Sequence, residues 1–418
     1  LQMLRSECLE FEVVPERCVK NSSVEFHIGT PINQVITMLQ LNTRILHGIK
    51  FTYSKKDPFR RDISIHLENN GIWLIFDARS QLLKFIEVDN FSKIVLRYCG
   101  QVFSEPGAEA TMDRVEESFG STHPGAYDES EKVYIQSWRG LSFCFPTTNS
   151  NHVEVAPGFG PNLRSLKYDS NSAPTLTKMT IFKGTQLTKN SEPLEVPQLA
   201  YAGQNRLILA EAVREKERIT GMCFLFTTED KVKMATRGGA ANDYELVTLK
   251  RTVSFGDHVT RVLATLGAPS KVFYKSDDKM SIHKVGEGRA KETVEPQPHF
   301  FFNYFSMGFD ILFDFSTKCV IKFVLHTNIP GHYHFGVYNR CEFRVACESE
   351  GDETVLETAS KYDDFSSILH SPQPVVISRQ STEDRNPFGA TFAYGTRQVV
   401  VEVMDNFQIA ALTIFAAA

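Results

Sequence analysis

The sequence predicts an α+β fold: tandem repeated units of a helix packed on an antiparallel β-meander, sheet-rich, in two closely packed lobes. Three observations point there. A glycine-led amphipathic helix pattern near residue 30 returns near residue 256. Each copy is followed by short apolar runs of strand length, separated by turns. Phenylalanine, at 32 residues against 2 tryptophans, favours pleated, half-buried surfaces.

The first copy begins Phe26-His-Ile-Gly29-Thr-Pro31, then places Val35 and Leu39 at helical spacing. Strand-like runs follow at 49–53 and 63–67. A turn at Asn69-Asn70-Gly71 leads into 72–77, and 82–88 closes the set. The second copy begins Val253-Ser-Phe-Gly256 and carries Val262 and Leu266. It stops at Gly267 with Pro269 beyond, the usual left-handed helix end. Its runs are 271–274, 300–304, 308–314 and 320–325. Both copies share a glycine, an apolar run, Phe-Asp, a short turn, and a run containing Lys-Phe. Two shorter echoes, at 112–145 and 388–415, read either as partial copies or as ordinary hairpins.

These readings divide the chain into four parts. Residues 9–146 form a first helix-on-sheet lobe, one unit plus a partial copy, and 147–250 supply connecting strands and loops. Residues 251–345 form the second full unit, and 346–415 are C-terminal strands completing the second lobe. The stretches 146–174, 227–243, 277–298 and 348–357 read as loops or insertions.

Composition excludes several classes. With 45 basic and 50 acidic residues the net charge is -5, so no general polyanion-binding character follows, and no nucleic-acid partner is expected. The eight cysteines are scattered and no Cys-x-x-Cys pair occurs, which removes zinc-ribbon and thioredoxin-type motifs. No apolar run approaches the ~20 residues that span a bilayer. A cytoplasmic location with reduced cysteines is the expectation.

The stretch that resists a plain strand or loop reading is 322–343. It opens as an apolar strand, breaks at Asn328, Pro330 and Gly331, then packs His332, Tyr333, His334 and Phe335 together. His326, His332 and His334 admit a metal reading, since alternate strand residues share a face. No carboxylate stands at comparable spacing, so no metal and no cofactor are expected, and a phosphoinositide-binding module or a metal-dependent hydrolase is only the alternative. The other reading is a shaped contact surface with Asn328, His332, Tyr333, His334, Tyr338 and Arg340 as candidate partner-binding residues. Lys271, Lys275, Lys279 and Lys284 interleave with aromatics and are candidate lipid contacts, diluted by Asp277 and Asp278. Near the first lobe's end, His123 and Asp128 lack a nucleophile, and Gly-x-Ser-x-Gly, His-Glu-x-x-His, Walker and dinucleotide glycine motifs are all absent. No catalytic residue is assigned.

Several blocks together resemble the phagosome (phagophore) assembly factor family. They are Phe11-Glu-Val-Val-Pro-Glu-Arg17, Thr122-His-Pro-Gly-Ala-Tyr127, Arg139-Gly-Leu-Ser-Phe143 and Lys271-Val-Phe-Tyr-Lys-Ser-Asp-Asp-Lys-Met280. Phe301-Phe-Asn-Tyr304, Asp310-Ile-Leu-Phe-Asp314, the 322–343 stretch and Asn386-Pro-Phe-Gly389 complete the set. The resemblance implies a non-enzymatic cytoplasmic autophagy regulator or adaptor that pairs with a WD-repeat propeller protein of the breast-carcinoma-amplified-sequence type. It also implies recruitment of that pair to phagophore assembly sites, with phosphoinositide contact resting mainly on the propeller partner. The helix-on-meander pattern is similar, at the level of fold alone, to lipoprotein and lactamase-inhibitor modules built from helices on a four-stranded sheet.

Overall fold

The computed structural model describes residues 8–108, 110–120, 122–123, 125–147, 154–157, 164–168, 173–185, 187, 194–200, 205–230, 245–275, 298–349, 352–369, 373–377 and 389–416. The chain divides into two compact units, Leu1–Ala200 and Tyr201–Ala418.

In the first unit, β1 (Leu9–Val14), β2 (Cys18–Lys20) and β3 (Glu25–His27) precede helix α1 (Ile32–Leu41). Four strands follow as a meander: β4 (Ile49–Thr52), β5 (Ile63–Leu67), β6 (Ile72–Phe76) and β7 (Leu83–Val88). The chain then makes β8 (Ile94–Tyr98) and β9 (Gln101–Ser104), helix α2 (Met112–Phe119), β10 (Ala126–Asp128), β11 (Val133–Trp138) and β12 (Leu141–Pro146). A hairpin of β13 (Glu154–Pro157) and β14 (Arg164–Lys167) interrupts before β15 (Lys178–Ile181). The strands assemble into a five-stranded sheet, β3-β2-β1-β8-β9, and an eight-stranded sheet, β10-β11-β12-β15-β7-β6-β5-β4.

The second unit uses the same order of elements. β16 (Asn205–Glu215), β17 (Arg218–Asp230) and β18 (Glu245–Ser254) precede α3 (Val259–Leu266). Then come β19 (Lys271–Tyr274), β20 (Phe300–Tyr304), β21 (Phe309–Phe313) and β22 (Val320–His326). β23 (Phe343–Ser349) and β24 (Asp352–Glu357) lead to α4 (Tyr362–Phe365), β25 (Val375–Ile377), β26 (Thr391–Gly395), β27 (Val399–Val403) and β28 (Ile409–Phe415). The sheets are β18-β17-β16-β23-β24 and β19-β20-β21-β22-β28-β27-β26-β25. Pairing is antiparallel except once in each five-stranded sheet, where β1 runs parallel to β8 and β16 to β23.

Each eight-stranded sheet is thus two meanders joined through their last strands, β7 with β15 and β22 with β28. Each meander has its own helix, and the residue entering that helix bridges to the start of the meander's last strand. The four bridges are Pro31 to Leu82, Thr111 to Thr175, His258 to Cys319, and Lys361 to Gln408. The stretches that echo the full copies in sequence therefore belong to further sets of a helix and four strands, the first extending to β15 and the second beginning at α4. The region 147–250, expected to be connecting strands and loops, is divided instead. It gives β15 to the first unit's large sheet and β16 to β18 to the second unit's small one.

The Phe-Asp pairs occupy equivalent places. Asp77 accepts hydrogen bonds from the Arg79 and Ser80 nitrogens at 3.2 and 2.8 Å, and Gln81 follows at φ 57°. Asp314 accepts from the Thr317 nitrogen at 2.8 Å, and Lys318 follows at φ 57°. The Lys-Phe pairs do not correspond. A bulge skips Lys84 in one sheet and Ile321 in the other, so Phe85 lies opposite Ile75 where Lys322 lies opposite Leu312. The shared dipeptide is one residue out of register and faces the other way.

The core of the second unit shows why these layers form. Phe309, Ile311, Phe313, Phe323, Leu325, Leu412 and Ile414 from the large sheet pack with Met222, Phe224, Val253, Phe343 and Val345 from the small one. Val262 and Leu266 of α3 and Phe365 of α4 cover the same face. Phe224 stacks on Phe309 at 4.5 Å. Burying each such side chain contributes about 1.5–3 kcal/mol, which explains the dominance of phenylalanine.

Gly308, between β20 and the core of β21, sits at φ 80°. A Cβ there would lie 2.7 Å from the Cys341 nitrogen and closer still to the Asn339 carbonyl oxygen. Gly256 has a similar φ of 82° with open space around it. Gly256→Ala should therefore lose about 1 kcal/mol of unfolding free energy, the cost of backbone conformation alone. Gly308→Ala should lose at least twice as much in urea unfolding, because the segment crossing it must also move.

Candidate functional site

The segment 327–342 joins β22 to β23, where the first unit uses only 89–93 between β7 and β8. This knuckle lies on the face of the large sheet that the helix does not cover. Its effect shows in the burial of the strands beneath. β6 alternates between buried and half-exposed residues, as a sheet with one solvated face should. Its counterpart β21, Phe309-Asp-Ile-Leu-Phe313, is buried at all five positions.

A carboxylate is therefore enclosed, with Asp310 6% exposed. Its partners converge from three elements. The Tyr338 hydroxyl donates to Asp310, with both carboxylate oxygens 2.9 Å away, and Asn303 Nδ2 donates at 2.8 Å. His326 Nε2 lies 2.9 Å from the second oxygen, and the His326 ring stacks on Tyr338 at 3.8 Å. A buried charge requires such compensation. The equivalent place in the first unit holds Trp73, which stacks on His66 at 3.8 Å and donates to Asp89.

A second tie holds the knuckle's tip. His332, 4% exposed, has Nε2 3.3 Å from Glu402 of β27, and Thr391 donates to the same oxygen at 2.6 Å. His332 Nδ1 accepts the His334 backbone N–H at 3.4 Å. Asn328, at φ 49°, accepts from the Gly336 nitrogen at 2.8 Å, and Arg340 Nε donates to the Thr327 carbonyl at 2.8 Å. The Thr327 hydroxyl donates into the Ile409 and Ala410 carbonyls. Burial, the Asp310 charge and the hydrogen bond to it all push the Tyr338 phenol well above its ordinary range.

The candidate contact residues thus divide by direction. Asn328, His332 and Tyr338 are buried and serve the knuckle's own architecture; His334 and Arg340 are partly covered. Tyr333, 54% exposed, faces outward, and so does Val337, which the sequence pattern did not single out. Asp310, Asn303 and Glu402 were also missed as site residues. The available signal was a lone acid inside the apolar run of β21.

The histidines are drawn together but used separately. His326 is committed to Asp310, and both ring nitrogens of His332 are engaged. Among the described residues, no group of three or more His, Cys, Asp or Glu side chains is arranged to hold a metal ion. His123 is exposed and Asp128 caps its own turn through Ser130 and Glu131, so that segment is a connection. The thiols of Cys144 and Cys347 are pushed up to about 11 by burial, away from nucleophilic use. Lys271 and Lys275 lie on and just beyond edge strand β19, whereas Lys279 and Lys284 fall outside the described residues. No helix among the described residues is long and apolar enough to cross a membrane.

Removing the Tyr338 hydroxyl should cost about 1.5–3 kcal/mol, the value of a hydrogen bond to a charged group, so Tyr338→Phe should lower the urea midpoint clearly. Tyr333→Ala should change it by no more than about 0.5 kcal/mol. The pH dependence has a definite sign. Because the folded pKa of Tyr338 is raised, its contribution is complete below about 10, the unfolded value, and is lost as pH rises beyond it. Alkaline destabilisation measured from pH 9 upward should accordingly be shallower in Tyr338→Phe than in the parent.

The comparisons with known proteins cover both units. The sequence profile described as phagosome assembly factor 1 matches residues 22–415. A PHAF1 protein of Caenorhabditis elegans is 49% identical over 412 residues, 97% of this chain and 94% of the relative. One from Drosophila melanogaster is 36% identical over 97% of this chain and 94% of its own. One from Arabidopsis thaliana is 30% identical over 93% of this chain and 90% of its own. No solved structure matches the chain. A profile that spans both units, together with full-length relatives from nematode, insect and plant, shows that this chain belongs to the phagosome assembly factor 1 family.

Proposed function

We propose that this protein is a non-enzymatic adaptor in autophagy, built on two copies of one helix-and-meander scaffold and acting by protein contact. The knuckle carries the reading. Its polar side chains turn inward onto Asp310 and Glu402, and its outward surface presents Tyr333 and Val337 on a braced turn. A rigid aromatic presented with little freedom left to lose suits an interface anchor. In this reading the partner is a WD-repeat propeller protein, and the pair works in the cytoplasm at phagophore assembly sites. The family's name, an assembly factor, supports this class of role over catalysis.

The test follows from the division of the knuckle into inner and outer residues. Tyr333→Ala combined with Val337→Asp should weaken co-purification with the propeller partner by about tenfold or more, equivalent to 1.4 kcal/mol. Melting temperature should stay unchanged, since both side chains face outward. Undiminished binding would move the interface off the knuckle.

A further inference from the structure

The edge strand β19 closes one side of the second unit's large sheet, and among the described residues no strand lies beyond it. All four of its residues are exposed, including Val272 at 42%, Phe273 at 49% and Tyr274 at 57%. The Lys275 nitrogen donates inward to His299, so in an antiparallel ladder Lys271 and Phe273 also point their backbone groups inward. The N–H and C=O groups of Val272 and Tyr274 consequently face away from the sheet. An apolar edge of this kind is a template for another strand.

Charge distinguishes it from the matching edge of the first unit. There, β4 is equally exposed, but its Lys50 pairs with Glu68. In the second unit Lys271, Phe273 and Lys275 share the face opposite the helix. That face continues across the sheet in register as Phe301, Leu312, Lys322 and Phe415. No carboxylate pairs with Lys271, Lys275 or Lys322 among the described residues. Lys322 is half-buried with its ammonium 4.5 Å from the Phe415 ring, and both burial and the charge of Lys275 act against its protonated form. Lysines on an edge commonly only discourage pairing. Lys322 lies three strands inside that edge, where a protective role has no purpose.

We propose that β19 receives an extended acidic segment of a partner protein, which adds to the sheet as a further strand. Lys271 and Lys275 stand four residues apart with Phe273 between them. The matching segment carries two carboxylates flanking three apolar residues, its acids on the lysine face and its apolar side chains against Phe273, Val272 and Tyr274. A second copy of this edge is disfavoured, because antiparallel self-pairing would set lysine against lysine. An anionic membrane fits less well, since lipid offers no ladder to the outward backbone groups.

The probe is a fluorescein-labelled peptide, Thr-Glu-Val-Phe-Val-Glu-Thr with blocked ends, titrated against the full chain by fluorescence polarisation. Binding should weaken as salt shortens the screening length from about 30 Å at 0.01 M to about 8 Å at 0.15 M. It should fall about tenfold or more in Lys275→Glu and in Val272→Pro, each first checked for an unchanged melting temperature. Methylating alternate peptide nitrogens should abolish it on the unaltered protein, an arm that does not depend on any variant folding. The proposal is overturned by absence of binding, by equal binding of the lysine-for-glutamate peptide, or by indifference to backbone methylation. It is equally overturned if phosphatidylserine vesicles bind through these lysines while the peptide does not.

Discussion

Each unit depends on one ladder, the antiparallel pairing of its two last strands: β7 with β15 and β22 with β28. That pairing turns two meanders into a single eight-stranded sheet with one large apolar face. Everything else in the unit answers the need to cover this face. The helices are tied to it where they begin, by a bridge from each entering residue to a last strand. The five-stranded sheet lies over what remains, with phenylalanines from both sheets interlocked. In the parallel pairs, β1 with β8 and β16 with β23, a strand that precedes the unit's first meander meets the strand that follows it.

The opposite face is where the units diverge. In the first, alternation leaves it partly solvated, with Trp73 and His66 stacked on the open side. In the second, the knuckle closes it over a carboxylate. An enclosed Asp310 tolerates few arrangements, since each lost donor leaves charge without compensation. Tyr338, Asn303 and His326 thereby hold the turn in place, and Glu402 holds its tip through His332. His326 and His332, two of the three residues that admit a metal reading in sequence, are thus engaged in holding the turn. What they support is an outward tyrosine on a stiff base.

Several features were legible in the residues. Glycines before the helices, Gly267 ending α3, and the two Phe-Asp turns all reflect local backbone demands, and local demands leave local signatures. The Lys-Phe match misled because a bulge of one residue inverts which side chain faces the core. The stretches at 112–145 and 388–415 looked partial because members of each set lie outside them: β15 comes only after the β13–β14 hairpin, and α4 and β25 precede residue 388. The knuckle's histidines and tyrosines were visible as a cluster, but their direction was not. Asp310 was conspicuous only once β21 was seen to be covered on both sides.

The residue order alone therefore settled the class of fold, the succession of helix and meander, and the position of the unusual turn, since propensity, periodicity and turn chemistry act over a few neighbouring residues. Only the tertiary structure decided which strands meet across the chain, which histidines face inward, and which lysines stand without a carboxylate among the described residues. Those depend on contacts between segments as distant as Asp310 and Tyr338, or Lys322 and Phe415, and on a burial that no local pattern encodes.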